Sequence, residues 1–98
     1  MPSELIVRSS KGKIIFQEEI SESWSFCTQL NDIKLWLNQY DIIRPNSSKC
    51  YIDVGIENRI GKNNVSIQGE AIPSRLMKVL GNREIDLWIS IYPEYETI

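Results

Sequence analysis

Four carboxylates stand where acid/base chemistry could be built: Glu18 beside Glu19, and Asp53 with Asp86. Two carboxyl groups can divide the roles of proton donor and acceptor. On the outward side of strands the same residues are ordinary solvated charges that keep one sheet face wet. The second reading is favoured, because the groups that usually assist carboxylates are missing. The chain has no histidine. That removes the commonest base near neutral pH, the commonest zinc ligand and every Ser-His-Asp or Cys-His arrangement. Cys27 and Cys50 are far apart, form no CxxC pair and sit within apolar patterns. Cysteine there behaves as a small hydrophobe, so reduced thiols and no structural zinc are expected. Neither a P-loop nor a GxGxxG pattern is present. The expectation is no catalytic residue, no cofactor and no metal. Carboxylates acting with Mg²⁺ are the residual catalytic reading.

The elements that must carry these residues follow from periodicity. Residues 4–8 and 14–20 read as two strands around the turn cluster Ser9-Ser10-Lys11-Gly12-Lys13, an N-terminal hairpin. Ile14, Phe16 and Ile20 fall on one face of the second strand, with Glu18 as the exception, and Gln17 and Glu19 point the other way. A helix starts near Cys27 or Asn31 and runs to Tyr40, with Thr28, Asn31 and Asp32 as N-cap candidates. Its stripe is Leu30, Ile33, Trp36, Leu37 and Tyr40. Pro45 blocks continuation. Residues 50–57 alternate as a strand, and residues 65–69 read as its partner in a second hairpin. A short helix spans 71–80, with Pro73 in its first turn and Gly81 as a left-handed C-cap. Residues 85–92 alternate as the last strand, followed by Pro93 and an acidic tail. The order ββ-α-ββ-α-β predicts one α+β domain over residues 1–98. It is a two-layer sandwich with a largely antiparallel sheet and two helices on one face.

If the strands holding Asp53 and Asp86 share that sheet, their outward residues form one surface. It carries Tyr51, Asp53, Glu57, Asp86, Trp88, Ser90 and Tyr92 and continues to Glu94. Aromatic residues anchor protein interfaces, and carboxylates steer a cationic partner toward them. The competing arrangement packs Trp88 and Tyr92 beneath the helices. Trp36 and Tyr40 are expected in the core, and Trp24 in a link that plugs the sheet edge. Lys11, Lys13, Lys34, Lys49, Arg59 and Lys62 are scattered and read as solvated charges.

The chain has 98 residues, 42% of them hydrophobic and 24% charged, with a formal net charge of −2. A chain of this size buries roughly 60–70% of its unfolded surface, so it folds without staples. The acidic balance argues against nucleic acid, where affinity rests on Lys and Arg. No apolar stretch approaches the ~20 residues that span a bilayer. The start, Met1-Pro2-Ser3-Glu4, has no basic region followed by a long apolar run, so no signal peptide is expected and the cytoplasm is the default compartment.

The strand at residues 50–57, the segment Val65-Ser66-Ile67-Gln68-Gly69, residues 72–80, and Ile85-Asp86-Leu87-Trp88-Ile89-Ser90-Ile91-Tyr92-Pro93-Glu94 together resemble a small bacterial domain family of unknown function. The segment around Trp24 and the helix ending in Trp36-Leu37 extend the likeness to the last three-quarters of the chain. The family's expected N-terminal portion is longer than the one here, which leaves the first hairpin unaccounted for. Such proteins are similar in size and style to the immunity proteins that neutralise bacterial toxins. With the small acidic domain, the missing catalytic groups and the acidic-aromatic face, this leads to the expectation of a non-catalytic, immunity- or antitoxin-like inhibitor whose partner is a basic toxin domain such as a nuclease. The alternative is a homo-oligomerising accessory or adaptor domain, in which an exposed edge strand pairs with a second copy.

Overall fold

The structure is a computed structural model and describes residues 2–41 and 46–93. The chain runs β1 (Ser3–Arg8), β2 (Ile14–Ser21), α1 (Phe26–Gln39), β3 (Lys49–Glu57), α2 (Ser74–Asn82) and β4 (Asp86–Tyr92). Pro45 and the acidic tail from Glu94 to the end of the chain lie outside the described residues. The expected α+β class holds, with a mixed, mostly antiparallel sheet. Its order is β2-β1-β3-β4. β1 pairs antiparallel with both β2 and β3, and β4 adds parallel to β3 through the α2 crossover.

β1 reads as the centre of the sheet because Leu5, Ile6 and Val7 are buried in succession. Leu5 and Val7 lie against the helices, while Ile6, on the opposite face, is shielded by Gln17 and Tyr51 of the flanking strands. Leu5, Val7, Cys50, Ile52 and Val54 face the helices and meet Phe26, Leu30, Ile33 and Leu37 of α1 and Leu76 and Leu80 of α2. Both helices therefore share one face of the sheet.

The second hairpin does not form. Both sides of β3 are taken by β1 and β4, so residues 65–69 have no free edge to join. Gln68 satisfies backbone groups through its side chain: its amide donates to the Glu57 carbonyl at 2.8 Å and its oxygen accepts from the Arg59 N–H at 2.8 Å. Ile67 is 84% exposed.

Helix ends also differ from expectation. α1 begins at Phe26 because Ser25 is the N-cap, its hydroxyl accepting from the Thr28 N–H. Ser21, Ser23 and Ser25 form a ladder in which each hydroxyl accepts from a backbone N–H farther along the chain. Ser21 also donates to Asp32 at 2.6 Å, locking the link to the helix. Short hydroxyl side chains favour such local bonds over helix or sheet. α2 runs past Gly81, and the left-handed residue is Glu84, at φ 54°. Ile85 N–H donates to Leu80 C=O and Glu84 N–H to Gly81 C=O. This is a Schellman closure, with Leu80 and Ile85 as its buried apolar contact. Tyr40 is exposed rather than core, stacked on Trp36 at 5.0 Å. Cys27 is also exposed, while Cys50 is buried, and the two are not joined in a disulfide.

Gln29 is fully buried, and the reason lies at the chain start. Gly55 N–H donates to the Pro2 carbonyl. Pro2 has no N–H with which to return the bond, so the Gly55 carbonyl lacks its ladder donor. The Gln29 amide supplies it at 2.8 Å. Gln29→Ala leaves that buried carbonyl unpartnered. It is expected to cost about 1–3 kcal/mol, read by urea denaturation. Wild-type stability in that variant would show that the carbonyl finds another donor.

Candidate functional site

The face opposite the helices is built row by row from the strand register. Glu4 stands across from Glu19 on one side and from Asp53 on the other, and Asp53 stands across from Trp88. One transverse row of the sheet thus reads Glu19–Glu4–Asp53–Trp88. The next reads Gln17–Ile6–Tyr51–Asp86. Toward the other end Gly55 faces Ser90 and Glu57 faces Tyr92.

Hydrogen bonds hold these side chains in place. Asp53 accepts from the Ser90 hydroxyl at 2.6 Å. Glu4 accepts from the Gln17 amide at 2.6 Å. The Arg8 guanidinium donates to the Tyr51 hydroxyl at 3.0 Å and to the Gly12 carbonyl at 2.8 Å. Tyr51 then stacks on Trp88 at 5.1 Å with a 32° tilt. At the far end Trp24, from the link before α1, meets Tyr92 edge-on at 5.6 Å. Gly55 permits that contact, since a Cβ there would lie 3.0 Å from Tyr92 and 3.2 Å from Trp24.

Tyr51, Asp53, Glu57, Asp86, Trp88, Ser90 and Tyr92 are therefore brought onto one face, as the alternation of the two strands implies. Glu94 lies outside the described residues. Asp53 and Asp86 are not direct neighbours: Asp86 faces Tyr51. Trp88 and Tyr92 do not pack under the helices and are 58% and 42% exposed. The aliphatic side of β4 is open too, with Ile89 and Ile91 among the exposed residues. Sequence reading missed Glu4 and Ile6, which join the face only because β1 lies between β2 and β3. It placed Glu19 on the outward side of its strand but not in this row. The available signal was the unbroken apolar run Leu5-Ile6-Val7, which marks an inner strand.

A separate trough of about 520 Å³ runs between α1 and α2, lined by Phe26, Leu30, Leu76 and Val79, with Cys27 and Lys34 also at it. Its floor belongs to the core, and the trough is the seam where the two helices diverge. Among the described residues no three acidic or cysteine side chains are close enough together to hold a metal ion, and no helix is long and apolar enough to cross a membrane. No protein-family model matches the chain, and no curated protein or solved structure is significantly similar to it.

Proposed function

We propose that this domain is a non-catalytic protein-binding module of the immunity or antitoxin type, using the open sheet face to cover a basic surface of a toxin. The observation that carries this reading is the row Glu19–Glu4–Asp53 beside exposed Trp88. Like charges directly across a sheet oppose folding. The same row in an interface complements a cationic partner, with Trp88 and Tyr92 as desolvated anchors. Tyr51, Asp53, Glu57 and Asp86 complete the docking residues, with Glu94 proposed from the sequence alone. A nuclease, whose substrate channel is basic in order to hold phosphates, is the kind of toxin this acidic face would fit. The absence of a disulfide between Cys27 and Cys50 is compatible with the reducing cytoplasm proposed as its compartment.

Capture with the tagged protein in its native cells tests the reading. A basic protein recovered in near-equal amount, released by salt and inhibited in its own activity by the purified domain, is the expected result. A captured protein that is acidic, or whose activity the domain leaves unchanged, would remove the inhibitor reading.

A further inference from the structure

The two edges of the sheet are not alike. β2 carries Gln17, Glu18 and Glu19 and two breaks in register, features that discourage another chain from pairing there. β4 from Leu87 to Tyr92 carries no charge, glycine or proline. Trp88, Ile89, Ile91 and Tyr92 are 58%, 46%, 68% and 42% exposed, so apolar surface is open on both sides of this strand. The strand's free backbone groups can be assigned from one bond. Asn58 N–H donates to the Tyr92 carbonyl, so Tyr92 turns its backbone toward β3. Successive residues of a strand turn their backbone groups to opposite sides. Trp88 and Ser90 therefore also serve β3, while Leu87, Ile89 and Ile91 present N–H and C=O outward. Among the described residues no strand lies on that side.

We propose that β4 pairs antiparallel with β4 of a second copy, about a twofold axis through Ile89 and perpendicular to the sheet. The strand is complementary to itself in this register. Ile89 meets Ile89, Leu87 meets Ile91, Trp88 meets Ser90 and Asp86 meets Tyr92. Every outward N–H and C=O from Leu87 to Ile91 gains a partner, and no like charges face each other. A register centred on Ser90 is worse, because Leu87 would then face Pro93, which has no N–H to give. Edge pairing also brings the flanks of Ile89 and Ile91, both exposed in the single chain, against apolar side chains of the second strand, and it leaves the outer surfaces of Trp88 and Tyr92 on the docking face. The resulting eight-stranded sheet keeps both acidic rows on one side, so the dimer presents two docking faces side by side.

Sedimentation equilibrium of the free protein tests this without any toxin, so its outcome is separate from that of the docking face. Wild type is expected at twice the chain mass in the micromolar to millimolar range. Ile91→Lys and Ile89→Lys are expected at the chain mass with unchanged circular dichroism, while Phe16→Lys, on β2, remains dimeric. Ile91 is already open to water in the single chain, so its replacement leaves folding intact. Wild type at the chain mass throughout the range overturns the proposal. So does a dimer that survives both isoleucine variants, or one that only Phe16→Lys dissociates.

Discussion

Asp53→Lys is expected to weaken binding of the captured partner by about 2–4 kcal/mol, on the order of 30- to 1000-fold in Kd. Asp53 sits between Glu4 and Trp88, at the middle of the acidic row, and is held toward the face by Ser90. Lysine there presents a repulsive charge to a basic surface beside the aromatic anchor. The companion variant is Glu4→Gln, which removes one charge and keeps an acceptor for the Gln17 amide. Relief of two like-charge neighbours should stabilise the free domain by roughly 0.2–1 kcal/mol, while binding becomes weaker. Opposite signs for folding and binding are the signature of residues held in place for a partner. Calorimetric titration gives the first quantity and urea denaturation the second. If Glu4→Gln lowers stability and leaves affinity unchanged, the row belongs to the fold and the docking face lies elsewhere.

Ile52→Ala should be the most damaging single truncation for folding, costing about 2–5 kcal/mol of a total near 5–15. Ile52 is fully buried in β3, with Leu5 across from it on β1 and Leu87 on β4. Truncation opens a cavity where sheet and helices meet, and the surrounding strands cannot collapse into it. Ile91→Ala removes the same atoms from the same sheet face, but at a position 68% exposed. In the single chain its cost should stay within about 0.5 kcal/mol. Chemical denaturation of the two variants separates them by midpoint at constant slope. Equal losses at a protein concentration where the single chain prevails would mean that another part of the same chain covers Ile91 and that the strand order β2-β1-β3-β4 is wrong.

Alternation along residues 50–57 and 85–92 was enough to put Tyr51, Asp53 and Glu57 on one side and Asp86, Trp88 and Tyr92 on one side of their own strand. The helical stripe of Leu30, Ile33 and Leu37 and the first hairpin with Gly12 at its turn were equally legible. These are local properties, because side-chain direction in a strand or helix depends only on spacing along the chain. Helix ends were less legible. Ser25 competed with three later capping candidates, and Glu84 takes a left-handed conformation more readily assigned to Gly81.

Residue spacing by itself determined the α+β class, most of the elements and the side-chain faces of the strands that bear the candidate docking residues. Only the tertiary structure decided which strands are neighbours. β4 joins β3 in parallel, β1 enters the centre, and residues 65–69 are excluded from the sheet. Those choices bring Glu4 between Glu19 and Asp53 and leave β4 as an open edge. Periodicity specifies the direction a side chain points. Pairing is settled by competition among distant segments for the same backbone donors and acceptors, and that competition is resolved by burial of the whole core.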